Sequence, residues 1–270
     1  MQGFQGPSDL PPPPPLRPRS VGEVLEAAFS LYSKHWKSLI QIVAIAVIPL
    51  TIIQYGLGDA VRSSRTTDAT GHVTSTGGGV VAASVLVSLL ALLIQVVLIG
   101  AIAWAVATSL VGREPDVGES YRFGYRRFWT ILLVGVLYVL VVFVGFIALI
   151  VPGIILAVRF SVAVPAVVVE RRRGTDALSR SWNLTRGRSW SVFGAFIVAA
   201  FLGAIVNALF TTIGSGAGWF LAGLLAGIGS SITTPFTGLV LGLVYFDLRV
   251  RKEQLDLPTL DRELQQAAAS

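Results

Sequence analysis

A chain of 270 residues in which 53% are hydrophobic and only 13% are charged cannot present an ordinary water-facing surface, since soluble domains carry about 25% charged residues. Its net charge of +6 is not that of a nucleic-acid binder, because the cations stand beside apolar blocks, where a membrane surface accounts for them. The absence of cysteine excludes disulfides, iron–sulfur clusters and thiol catalysis.

The opening MQGFQGPSDLPPPPPLRPRS has no apolar core of the kind a secretory signal needs. Its five consecutive prolines lack amide donors and favour an extended polyproline conformation. Residues 1–19 therefore read as a disordered cytoplasmic tail, a spacer in preference to a ligand for a proline-recognition module.

Residues 20–36 place Val21, Val24, Leu25, Ala28, Phe29, Tyr32 and Trp36 on one helical face, and Ser20 with Glu23 has the spacing of a capping box. A first apolar segment follows, from about Leu39 to Gly56. A second runs from Val80 to Val111, about 48 Å as straight helix and longer than a ~30 Å hydrocarbon core. Between the second and third segments, Asp116–Trp129 repeats the amphipathic idea, with Val117, Tyr121, Tyr125 and Phe128 on a face and Asp116 and Glu119 at the capping spacing. The third segment is about Thr130 to Ile150. Val151-Pro152-Gly153 then predicts a tight reversal, and the fourth segment is Ile154 to Val169. Residues 175–190 give a third amphipathic stretch, with Leu178, Trp182 and Thr185 on its face. The fifth and sixth segments are Ser191 to Ile213 and Trp219 to Phe246.

The expected architecture is an all-α polytopic membrane bundle: about six transmembrane helices plus three amphipathic interfacial helices in a pseudo-threefold repeat. Its units are 20–112, 113–170 and 171–248, and 249–270 is a cytoplasmic tail. Of the 21 lysines and arginines, all but Arg62, Arg65 and Arg159 fall on one side of such a bundle. The positive-inside bias then predicts that both termini are cytoplasmic. Each amphipathic stretch ends at a tryptophan, and Trp36, Trp129 and Trp190 are expected to anchor at headgroup depth.

Arg159 is the cation out of place, about 8 Å from the reversal at 1.5 Å per residue. An arginine within a crossing costs about 2.5–3.5 kcal/mol on insertion scales. Its side chain either snorkels outward to phosphates or donates to carbonyls freed near a proline, or it forms an anion site inside the bundle. Arg122, Arg126, Arg180 and Arg186 join it as candidates for binding an anion or a lipid headgroup. Pro49, Pro165 and Pro235 interrupt three crossings, as kinks or as the broken helices of a transporter site. Asn207 and Thr233 offer interhelical hydrogen bonds, and Gly223, Gly227 and Gly229 offer close helix packing.

Catalytic signals are sparse. His35 and His72 are expected on opposite sides, so no histidine–carboxylate metal site assembles at one depth. A Ser75–His72–Asp68 set would sit on a glycine- and threonine-rich loop poorly suited to holding it rigid. No cofactor is expected.

Three stretches together, LRPRSVGEVLEAAFSLYSKHW, RFSVAVPAVVVERRRGTDALSRSWNLTRGRSW and LVYFDLRVRKEQLDL, resemble the glycerophosphoryl diester phosphodiesterase membrane-domain family of bacterial multi-pass proteins over about residues 16–256. The resemblance implies a bacterial inner-membrane domain of about six crossings with no established activity. The carboxylate and histidine set that phosphodiester cleavage needs is missing. The reading that follows is a non-catalytic module organising anionic lipids or a membrane partner; the alternative is a transporter or translocator of a lipid or small anion.

Overall fold

The computed structural model describes residues 18–67, 73–75 and 77–268. Residues 1–17, which hold the proline run, and Asp68 and His72 lie outside the described residues.

Helix α1 (Val21–Ser63) starts on the expected capping box: the Ser20 hydroxyl accepts from the Glu23 N–H and the Glu23 carboxylate accepts from the Ser20 N–H. The amphipathic stretch and the first crossing are one helix, bent at His35, whose φ of −117° and ψ of 20° depart from helical values. Its first part does not lie apart from the bundle. It runs antiparallel to helix α9 (Gly218–Glu253), from Arg19, whose N–H donates to Asp247, to Tyr32, whose hydroxyl donates to the Ile232 carbonyl. The expected apolar face divides accordingly: Val24 and Ala28 are buried, and Phe29 and Trp36 are exposed. Strands β1 (Thr66–Thr67) and β2 (Val73–Ser75) form a small antiparallel ribbon in the polar loop.

Helix α2 (Gly78–Leu110) returns, and helix α3 (Val117–Arg126) folds back against it. The buried side of α3 is Ser120, Phe123 and Gly124, whereas Tyr125, expected on the apolar face, is exposed. The cause is close approach: a Cβ on Gly124 would lie 2.4 Å from the Val97 carbonyl oxygen. Phe123 then stacks on Trp104, with ring centroids 4.3 Å apart.

Helices α4 (Phe128–Ala148) and α5 (Ile150–Phe160) form a hairpin. Its turn is not at Pro152-Gly153. The chain reverses at Leu149, which is extended, and Pro152 and Gly153 fall in the first turn of α5. Proline is tolerated there because the first amides of a helix have no partner within it. Gly153 serves packing, since a Cβ on Gly145 would come within 3.0 Å of its Cα. The crossing then breaks at Ser161–Val162 and continues as α6 (Ala163–Val169), with Pro165 in its first turn. Helices α7 (Gly174–Thr185), α8 (Ser189–Gly214), α9 and α10 (Leu257–Ala268) complete the chain. Pro49 and Pro235 do not break their helices.

Six of these segments are long and apolar enough to cross a membrane: α1, α2, α4, α5 with α6, α8 and α9. They make the chain compatible with a multi-pass membrane protein, as do exposed apolar side chains such as Leu86, Phe143, Ile147 and Phe201. Water would not accept so large an apolar surface, and hydrocarbon does. The crossings alternate, so the basic connections share one end of the bundle, called here the basic end.

The core gathers toward that end. All buried residues of α2 lie between Leu98 and Ser109, and α9 is densest from Leu239 to Val250. Glycines set the spacing: Cβ atoms on Gly223 and Gly227 would stand 2.8 and 2.9 Å from Cα atoms of α1, and one on Gly238 would stand 2.3 Å from the Ile102 side chain of α2. Between α8 and α9, the Asn207 amide donates to the Thr233 hydroxyl at 2.8 Å, and the Ser230 hydroxyl donates back to Asn207.

Candidate functional site

The cations at the basic end divide into those neutralised inside the protein and those left open. Arg180, on α7, is of the first kind. Its Nε lies 2.7 Å from Glu170, and its guanidinium also pairs with Glu253. Glu170, which caps the end of α6, has a largely enclosed side chain that accepts from the Tyr245 hydroxyl at 2.6 Å. Arg249, one turn beyond Tyr245 on α9, is also buried. It forms a two-pronged bond with Glu263 of α10 at 2.7 and 2.9 Å and reaches Glu253 at 3.0 Å. Burial pulls the Arg180 pKa down, and the hydrogen bonds it donates to the Glu170 and Glu253 carboxylates, with their charge, outweigh it, so the net shift is upward. This network welds α6, α7, α9 and α10 together.

Arg159 is the next-to-last residue of α5, two residues before the break. Its carbonyl accepts from the Ser181 hydroxyl at 2.8 Å and the Thr185 hydroxyl at 3.2 Å, both on α7. Its guanidinium stacks on the Trp182 ring, 4.1 Å from the centroid. The freed carbonyl and the cation are thus both met by α7, which follows the basic Arg171–Arg173 turn. The Arg159 Nε is buried and has no acceptor among the described residues.

Arg186 lies elsewhere, in the turn from α7 to α8. There the chain crosses Gly187 at φ +86°, a value glycine adopts without strain. A cavity of about 480 Å³ opens beside this turn, lined by Arg186, Arg188, Arg251 and Lys252 with Pro18 and Leu248. A second cavity of about 230 Å³ adjoins it, sharing Arg188, Leu248 and Arg251. Val21, Val24, Val192, Ala195 and Val244 line the second one, together with Arg19 and Asp247. Asp247 is the one carboxylate among the described residues of these walls, and both its oxygens are occupied: one by the Arg19 N–H at 2.6 Å, the other by Arg251 Nε at 2.7 Å. Arg186 and Arg188 have no carboxylate partner among the described residues.

The structure therefore brings Arg180, Arg186 and Arg159 onto or against α7 but gives them different surroundings. Arg122 and Arg126 are exposed on α3 and line neither cavity. Trp36, Trp129 and Trp190 are 48, 78 and 86% exposed, as side chains that project toward the surroundings must be. Sequence reasoning passed over Tyr245, Arg249, Glu263, Arg188 and Arg251. The available signal was the spacing of Asp247 to Arg251 and Arg249 to Glu253, opposite charges one helical turn apart. Among the described residues no cluster of histidine, aspartate and glutamate has the arrangement to hold a metal ion.

Residues 37–246 match the family model described as a domain of unknown function, DUF7847, and the chain belongs to that family. No curated protein and no solved structure matches it.

Proposed function

We propose that this member of the DUF7847 family is a non-catalytic module of the bacterial inner membrane. It gathers anionic lipid, or a membrane partner of like charge, at a basic end that faces the cytoplasm with both termini. The observation that carries the reading is a division among its cations: Arg180 and Arg249 pair with internal carboxylates, whereas Arg186 and Arg188 are open beside a cavity. Three exposed tryptophans at the ends of the amphipathic stretches support placement of that end at headgroup depth. The side-chain caps at the starts of α1 and α3 support a likeness of the first two units of the expected repeat, and α7 starts without such a cap.

The test is lipid selection. Purified protein in mixed micelles of zwitterionic and anionic phospholipid is re-isolated and its retained lipid measured. Anionic lipid is expected to be enriched, and the enrichment to fall as salt rises. Retention in proportion to supply at every salt concentration rejects the reading. Hydrolysis of glycerophosphodiesters by the pure protein would overturn its non-catalytic part and favour kinship with phosphodiesterase-linked membrane domains.

One observation favours translocation of a lipid or small anion as a second reading. The fourth crossing is broken at Ser161–Val162, beside an arginine whose Nε has no acceptor among the described residues. Broken crossings build transporter sites. Flux of an anionic lipid or solute in reconstituted vesicles, abolished by Arg159→Ala, is its expected signature, and vesicles with no flux reject it.

A further inference from the structure

The two adjoining cavities differ in lining in a way that bears on their occupant. The larger one is rimmed by Arg186, Arg188, Arg251 and Lys252, with no carboxylate among the described residues of its wall. The smaller one is walled mainly by Val24, Val192, Ala195 and Val244. Their order in depth follows from the helices. Helix α8 leaves the basic end at Ser189, so Val192 and Ala195 lie deeper than Arg188. Helix α9 arrives at the basic end, so Val244 lies two turns deeper than Arg251 and Lys252, about 11 Å at 1.5 Å per residue. Cationic space thus stands over apolar space, in the direction that runs from headgroups to hydrocarbon. Trp190, 86% exposed and two residues past Arg188, has the side chain that prefers the boundary between them.

Resting on the anionic-lipid reading above, we propose that this groove is a discrete site for one anionic glycerophospholipid. Its phosphate lies among Arg186, Arg188 and Lys252, and the first carbons of one acyl chain lie in the trough between α1, α8 and α9. Charge selects the headgroup: Asp247 is already satisfied by Arg19 and Arg251, so the open guanidinium groups of Arg186 and Arg188 are left for the ligand. Guanidinium groups suit phosphate oxygens because they donate in pairs. The apolar trough distinguishes a lipid from a free phosphate or an acidic peptide, neither of which would gain from it. The site differs from the buried network around Glu170, where every cation named has a carboxylate of its own.

The experiment uses the full chain in neutral detergent, titrated with a phosphatidylglycerol and with a phosphatidylcholine of the same chains, with bound lipids counted by native mass spectrometry. One phosphatidylglycerol is expected to persist at activation energies that strip the rest. Replacing Arg186 and Arg188 together by Gln should weaken it by about tenfold or more. Ser191 also lines the smaller cavity, so Ser191→Trp, which keeps the charge but fills that space, should remove the same single lipid. Replacing Arg171 and Arg173 by Gln lowers net charge equally outside the groove and should change the affinity by less than about threefold. Equal losses from both arginine pairs would overturn the site while leaving general attraction of anionic lipid intact. Equal binding of the two lipids by the unaltered chain would instead reject the reading on which the site rests. Displacement of the lipid by equimolar glycerol phosphate would also overturn the proposal, because a trough that contributes nothing makes the lipid no better than its headgroup. Matching thermal unfolding of the variants and the unaltered chain separates loss of the site from loss of the fold.

Discussion

Replacing Tyr245 by Phe removes one oxygen atom from the centre of the buried network and nothing else. The ring is fully buried, and its hydroxyl donates to Glu170 at 2.6 Å. Glu170 has a side chain only 7% exposed and keeps Arg180 at 2.7 Å, so the carboxylate loses one of its donors and not its countercharge. A hydrogen bond to a charged group contributes about 1.5–3 kcal/mol, and a buried acceptor left short of a donor costs the same order. The expected loss is therefore about 2 kcal/mol, roughly thirtyfold in the folding equilibrium. Glu170→Gln removes the charge that makes this bond strong, so Tyr245→Phe should cost about 1 kcal/mol less in that background, a coupling within the range for contacting residues. The assay is reversible unfolding by sodium dodecyl sulfate in mixed micelles, followed by tryptophan fluorescence, which six tryptophans make sensitive. A loss under about 0.5 kcal/mol for Tyr245→Phe, or strict additivity of the two substitutions, would refute the claim that the hydroxyl and the carboxylate act as a unit.

The other expectations concern packing and caps. Gly124→Val places a branched side chain where a Cβ alone meets the Val97 carbonyl at 2.4 Å; α3 should be displaced from α2, read as tryptic cleavage at Arg122 and Arg126 that the unaltered protein resists. Ser20→Ala removes one half of the capping box and should cost about 1 kcal/mol, measured in the same detergent titration. Asn207→Leu deletes both of its side-chain bonds between α8 and α9. Because such bonds average about 0.6 kcal/mol in membrane bundles, its midpoint should shift less than that of Tyr245→Phe, and a larger shift would mean that the α8–α9 seam depends on polar contact.

Much of the architecture was legible because it rests on length and period. Six apolar runs gave six segments of crossing length, and Ser20–Glu23 and Asp116–Glu119 marked two helix starts at the right residues. The misread features depend on partners distant in sequence. Gly124 looks like a weak point in a helix until Val97 is seen behind it, so the apolar face of α3 was assigned to Tyr125 when small residues decided it. Pro152-Gly153 looks like a turn because both residues suit one; the reversal at Leu149 arises because proline also suits the start of a helix. The site was harder still. Arg180 and Arg186 are alike in sequence context, yet one faces Glu170 and Glu253 and the other faces open space. Only the meeting of α6, α7 and α9 separates them, and no local spacing encodes that meeting. Arg159 was visible as an anomaly from its surroundings, but Trp182, the ring it stacks on, lies 23 positions on and on another helix.

The bond between Arg249 and Glu263 makes the last helix part of the fold. A chain cut back to Glu253 would keep Glu253 at 3.0 Å and Glu170 at 3.6 Å as countercharges for Arg249. It would lose the two-pronged carboxylate and the apolar cover of Leu260 and Leu264. A buried guanidinium stripped of its best acceptor is strongly destabilising. Such a truncation should therefore loosen the basic end first, while the far ends of the helices, which make none of these contacts, keep their packing.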